Sequence, residues 1–255
     1  METFELTAVV LLMLCIAAVA AGYLDTLVGG GGLITIPALL MAGMPPILAL
    51  GTNKLQSVVG TGTASLMMVK RGKLRIRDVK KLMLAAFTGS VLGSVVVQFF
   101  DTELLRVLIP IVIVLIALYF ILSPQQSLHA SEVKLTENTY AKTAVPTIGF
   151  YDGMFGPGTG SFFVLSGVSL RGQEIVASTA TAKTLNFATN FGSLLVFIAF
   201  GKIIWLVGGV MMIGQAIGAN LGAKTLLSID PAKLRYLVIA LCLVMLAAWF
   251  WGSGA

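Results

Sequence analysis

Four charged residues lie where charge is expensive. Asp25, Lys54, Asp152 and Lys183 are the ionisable side chains set deepest in apolar sequence. Counted from Pro46 at about 1.5 Å per residue, Lys54 stands about 12 Å into its segment, near the middle of a ~30 Å hydrocarbon core. Lys183 is comparably deep. An ionised group at that depth costs at least about 2.5–3.5 kcal/mol, so it faces a partner, a watery cavity or a substrate. Thr52, Asn53 and Gln56 flank Lys54, and Thr181, Thr184 and Asn186 flank Lys183. Uncharged donors beside an ammonium suit the oxygens of an anion. The plainer alternative is two structural Asp–Lys pairs, one in each half of the chain, which is compatible with a substrate role.

Two glycine-rich stretches carry the second candidate chemistry. Gly29-Gly30-Gly31-Gly32 and Gly156-Pro157-Gly158-Thr159-Gly160 interrupt apolar sequence, and each precedes a short apolar segment, 33–43 or 161–170. Irregular backbone at membrane depth is tolerated only where it is buried in protein or lines a cavity. A helix starting after such a break presents unpaired N–H groups and the positive end of its dipole, which together bind anions. The candidate substrate contacts are therefore Gly30, Gly31, Gly32, Thr52, Asn53, Lys54, Gln56, Gly158, Thr159, Gly160, Thr181, Lys183 and Asn186. Asp25 and Asp152 either orient the lysines or carry a coupling proton. The pairs Gly89/Gly93 and Gly214/Gly218, with Gly222, read instead as close helix packing.

The elements that must hold these residues are membrane helices. Hydrophobic residues make up 57% of 255 positions and charged residues 11%, against roughly 25% charged in a soluble domain. Mean hydropathy is +0.97. The apolar segments run at about 5–22, 33–43, 47–69, 82–100, 103–122, 143–155, 161–170, 174–200, 202–222 and 233–252. The first lacks the positive flank of a signal peptide, carrying Glu2 and Glu5 instead, and is expected to remain in the mature chain. Cys15 and Cys242 lie in apolar stretches without paired spacing, and His129, the one histidine, lies in a polar linker. No metal site, cofactor site or histidine-based catalytic group is expected. The net charge of +6 is concentrated in one loop, with Lys70, Arg71, Lys73, Arg75, Arg77, Lys80 and Lys81. Between apolar segments that marks a cytoplasmic loop rather than a nucleic-acid surface.

The chain repeats itself. Gly22-Tyr23-Leu24-Asp25 answers Gly149-Phe150-Tyr151-Asp152; Thr52-Asn53-Lys54 answers Thr181-Ala182-Lys183; Gly72-Lys73 answers Gly201-Lys202. With the basic loop inside, the turn at Asp101 and Glu103 falls outside and the turn at Gly201-Lys202 falls outside as well. The two halves are then inverted, as in many secondary transporters. Each half crosses an odd number of times if its first two segments make no net crossing, either as a re-entrant hairpin, with the first tip at Asp25 to Gly32, or as a pair of helices that goes across and back. The short second arm favours the hairpin. The expected organisation is a first membrane repeat over 1–122, a cytoplasmic linker over 123–141 and a second membrane repeat over 142–255. The fold class is an all-α integral membrane protein of two inverted repeats, each a broken helix pair followed by three transmembrane helices.

At GYLDTLVGGGGLITIPALLMAGMPPILALGTNKLQS in the first half, and at GFYDGMFGPGTGSFF and TATAKTLNF in the second, the sequence resembles the TauE/SafE sulfite exporter family. The likeness is to the YfcA-like branch of this 4-toluene sulfonate uptake permease type, and it runs over essentially the whole chain. The resemblance implies a two-repeat transporter of sulfite, sulfonates or related small organic anions, with the glycine turns and the neighbourhoods of Lys54 and Lys183 lining the path.

The expected activity is secondary transport of a small anion by alternating access, with export the expected direction. The expected setting is the cell (inner) membrane, multi-pass, with the lipid bilayer and the anionic substrate as partners and a homo-oligomer left open. An intramembrane enzyme would need a constellation at depth that only a pair of aspartates could supply. A channel or a structural membrane protein would show unsaturable flux or tolerate loss of both lysines.

Overall fold

A computed structural model describes residues 6–122 and 132–225. The expected segment at 233–252, Cys242, His129 and residues 123–131 of the expected linker lie outside the described residues. Among the described residues ten helices follow in order: α1 Ala8–Val28, α2 Gly32–Met41, α3 Pro46–Lys70, α4 Ile76–Val97, α5 Thr102–Leu122, α6 Glu137–Lys142, α7 Ala144–Met154, α8 Thr159–Arg171, α9 Ile175–Ala199 and α10 Trp205–Thr225. The described residues contain no strand. α6 was not expected within the linker. Its signals are local: the Thr136 hydroxyl caps Thr139 N–H, Glu137 sits in the first turn and Lys142 in the last.

The helix ends follow from the sequence. α3 opens on Pro46, whose fixed φ and missing N–H suit a first helical position. It closes in a Schellman turn, with Lys73 N–H donating to Met68 O and Gly72 N–H to Val69 O. α9 closes identically, through Lys202 N–H to Phe197 O and Gly201 N–H to Ile198 O. The two Gly-Lys landmarks are thus the same helix stop.

Small residues decide which helices touch. A Cβ on Gly214 would meet Cys15 O at 2.5 Å, one on Gly222 would meet Tyr23 O at 2.7 Å, and one on Gly218 would overlap Val19 O. These contacts advance together along both chains, so α1 and α10 run parallel in close contact. The second pair repeats the arrangement: Gly89 lies against Pro146, Gly93 against Phe150, Gly149 against Ala86 and Gly153 against Ser90, and α4 and α7 run parallel. This is small-residue packing that lets backbones approach within a membrane. α3 and α9 cross the centre in opposite directions. Gly51 faces Phe197, Gly62 faces Phe187, and the Ser65 and Thr184 hydroxyls share a 2.9 Å hydrogen bond.

The outer faces are apolar. Val9, Leu12, Met13 and Ile16 of α1 are exposed, as are Leu84 and Leu92 of α4 and Ile213 and Ile217 of α10. α1, α4 and α10 are each long and apolar enough to cross a membrane. The seven basic residues from Lys70 to Lys81 are all exposed at one end. Leu74, Leu135 and Leu170 cluster at that end, and Ile47, Leu50, Phe197 and Ile203 cluster elsewhere in a second core.

Candidate functional site

Each glycine stretch breaks a helix and turns the chain back. α1 continues through Asp25 and stops at Gly29, whose φ of 88° is open to glycine at little cost and whose N–H donates to Asp25 O at 2.8 Å. The first tip is therefore Gly29 to Gly31, and Asp25 lies in the last turn of α1 rather than in the tip. Asp152 likewise lies in α7, and the second tip is Phe155 to Gly158. The two tips meet. A Cβ on Gly29 would stand 2.6 Å from Gly160 Cα, and one on Gly32 would stand 3.2 Å from Pro157 Cα.

The four buried charges gather around this contact. Lys54 is 1% exposed, Lys183 0%, Asp152 1% and Asp25 9%. Lys54 Nζ donates to Asp152 Oδ1 at 2.9 Å and to the Asp152 main-chain carbonyl. Lys183 Nζ donates to the main-chain carbonyl of Asp25. The lysines thus engage aspartates of the opposite half, where sequence spacing suggested a pair within each half. Both reach carbonyls in the last turns of broken helices, where the dipole is negative. The carboxylates serve the opposite polarity. Asp25 Oδ1 accepts Gly31 N–H at 3.1 Å at the start of α2, and Asp152 Oδ1 accepts the Thr159 hydroxyl at 2.9 Å at the start of α8.

Between the tips and the crossing of α3 with α9 lies a small polar cavity. Asp25, Gly29 and Gly32 line it from one hairpin, and Asp152 and Gly156 from the other. α3 adds Asn53, Ser57 and Thr61, and α9 adds Asn186 and Asn190. Its interior has room for about one water molecule. Asn53 Oδ1 accepts the Thr35 hydroxyl at 2.5 Å and Gln56 Nε2 at 2.7 Å, while Asn186 Oδ1 accepts Asn190 Nδ2 at 3.0 Å. The amides are held in place by these bonds.

Of the residues singled out from sequence, Asp25, Gly32, Asn53, Asp152 and Asn186 line the cavity. Lys54 and Lys183 lie behind the tips. Gly30, Gly31, Gly158, Thr159 and Gly160 form the backs of the turns and the first residues of α8. Thr52 accepts Ile204 N–H at 3.0 Å and ties α3 to the start of α10. Gln56 stands behind Asn53, and Thr181 is buried in α9. Ser57, Thr61 and Asn190 were missed. Their signal was the helical step of four from Asn53 and from Asn186, which stacks side chains on one face. Among the described residues no group of three or more His, Cys, Asp or Glu gathers as a metal site.

Apolar outer faces, two broken hairpins and a polar centre holding four buried charges define a multi-pass membrane protein. The model of the sulfite exporter TauE/SafE family matches residues 14–248, and the chain belongs to that family. A "Probable membrane transporter protein" of Haemophilus influenzae is 40% identical over 243 residues, covering 95% of each chain. The "Probable membrane transporter protein YfcA" of Escherichia coli K12 is 39% identical over 257 residues, 99% of this chain and 96% of its own. "Probable membrane transporter protein ORF9" of a Sinorhizobium species is 43% identical over 214 residues, 84% of this chain and 82% of its own. No solved structure matches the chain significantly.

Proposed function

We propose that this protein is a secondary transporter that moves a small anion across the cell membrane by alternating access. The substrate class is sulfite, an organosulfonate or a related small organic anion, and the direction is export. The observation that carries the reading is the meeting of the two hairpin tips at Gly29 and Gly160, beside one polar cavity. That contact brings the N-termini of α2 and α8 together, two positive dipole ends suited to one anion. Lys54 and Lys183 neutralise the carbonyl ends of α7 and α1. They therefore favour an anion through their field and need not touch it. Asn53, Ser57, Asn186 and Asn190 supply donors for its oxygens. The cavity is tight, so substrate entry requires one hairpin to move away from the other.

The organisation we infer is two inverted repeats over 1–122 and 142–255, joined by a cytoplasmic linker over 123–141. It is supported by the matched packing of α1 on α10 and α7 on α4 and by the opposed directions of α3 and α9. In this reading α1–α2 and α7–α8 are re-entrant hairpins entering from opposite faces, and the basic end carrying Lys70 to Lys81 is cytoplasmic.

The test is uptake of labelled sulfite, sulfoacetate and simple carboxylates into proteoliposomes, with Lys54→Ala and Lys183→Ala beside the wild type. Saturable uptake that both substitutions abolish is the expected result. A wild type that moves none of these anions sinks the proposal.

A further inference from the structure

The cavity is electrically balanced before any substrate arrives. Asp25, Asp152, Lys54 and Lys183 are the only acidic or basic residues buried among the described residues, and their formal charges cancel. Lys54 forms a salt bridge with Asp152. The Lys183 hydrogen bond goes to the Asp25 main chain, so the Asp25 carboxylate is left with Gly31 N–H. An anion entering this site adds a full negative charge that the partial charges of two helix N-termini offset only in part, which is unfavourable in a low dielectric.

Resting on the anion-transport reading, we propose that each anion enters with one proton and that the proton rides on the Asp25 carboxylate. In the resting state this carboxylate is an internal anion on the first N–H groups of α2. Taking up a proton, it releases Gly31 N–H, and an oxygen of the substrate takes its place there. When the anion leaves, the proton leaves with it and Asp25 returns to Gly31. The cycle carries no net charge for a monovalent anion.

Asp152 is unsuited to this exchange. Its Oδ1 is held by Lys54 and Thr159, and its Oδ2 is buried without a partner. That lone acceptor is a second sign of an incomplete site, since an arriving O–H would give Asp152 Oδ2 the donor it lacks. The charged groups around Asp25 are Lys183 from α9, Asp152 from α7 and Lys54 from α3. α2 and α8 bring no titratable side chain to the cavity. Tyr23 accepts from the Thr225 hydroxyl, Tyr151 donates to Pro157 O, and Lys224 on α10 is exposed.

The experiment uses the full chain in proteoliposomes loaded with a pH-sensitive dye, under a potassium–valinomycin voltage clamp. The probes are sulfite and ethanesulfonate, the latter ionised throughout the range so that an arriving proton is not its own. The wild type is expected to acidify the lumen as the anion enters, at a rate indifferent to voltage. Asp25→Asn is expected to move the anion without acidification and to accumulate it roughly fiftyfold per 100 mV. If Asp25→Asn does not fold, the wild-type arms decide. Wild-type anion entry without acidification, entry that follows a sodium gradient, or acidification that survives in Asp25→Asn overturns the proposal. Absence of any anion uptake by the wild type is a different failure, that of the transport reading itself.

Discussion

Lys54 spans the interior to the last turn of α7, where one ammonium serves both the carboxylate and the main-chain carbonyl of Asp152. Its counterpart Lys183 meets Asp25 through the carbonyl. Similar sequence has produced unequal attachments. Lys54→Ala leaves the Asp152 carboxylate buried without its counter-ion, at a cost of about 3–5 kcal/mol. Lys183→Ala removes one charge-assisted hydrogen bond, at a cost of about 1.5–3 kcal/mol. Thermal unfolding in detergent should therefore show the larger drop for Lys54→Ala. Equal drops would contradict the unequal attachment.

The glycine contacts between parallel helices make a second prediction. Gly93→Ala and Gly218→Ala each drive a methyl into a facing carbonyl oxygen, that of Phe150 or Val19, and should destabilise by about 1–3 kcal/mol. Gly209, on α10 with open space around it, is the control. Gly209→Ala should leave stability unchanged or raise it by up to about 1 kcal/mol, because alanine is the better helix former. A loss at Gly209 matching that at Gly218 would show that helix contact is not the cause.

Hydropathy and glycine spacing made much of this legible. The expected segment 82–100 corresponds to α4 and 202–222 to α10, and the GxxxG pairs do mark close packing. The partner of each stripe was not legible, because a glycine stripe says that a backbone approaches and not which one. The same limit explains the lysines. Burial near the midplane could be counted from Pro46, but the exchange of partners between Lys54 and Lys183 depends on the crossing of α3 and α9. Asp25 was expected in the first tip because the first apolar segment was ended at residue 22, yet helix α1 runs on through Asp25 and stops only where a positive φ ends it. Ser57, Thr61 and Asn190 escaped notice because single hydroxyls and amides carry little signal until a helical face aligns them.

That polar face has a kinetic consequence. Asn190→Leu and Ser57→Leu should raise KM for the transported anion about tenfold, equivalent to about 1.4 kcal/mol of binding. Asn220→Leu, on an exposed position of α10 where the amide donates only to Ala216 O, should leave KM unchanged. Initial uptake rates across a concentration series distinguish the two. An unchanged KM for both cavity variants would take the face out of the substrate path.

The proposed topology can be read by labelling. In a chain with Cys15 and Cys242 replaced, Lys73→Cys should react with an impermeant maleimide only from the cytoplasmic side. Lys202→Cys should react only from outside. Labelling of both from the same side would rule out the inverted arrangement.

The parallel contact of α1 with α10 sets an order of events during synthesis. The glycines that α1 needs opposite it lie at Gly214, Gly218 and Gly222, close to the end of the described chain. At about 5–20 residues per second, α1 waits roughly 10–40 s for that partner to be made. For most of that interval its last turns, including Asp25, have neither α10 nor Lys183 beside them. The newborn helix must either rest at the lipid surface or be sheltered by the insertion machinery until α10 has been translated.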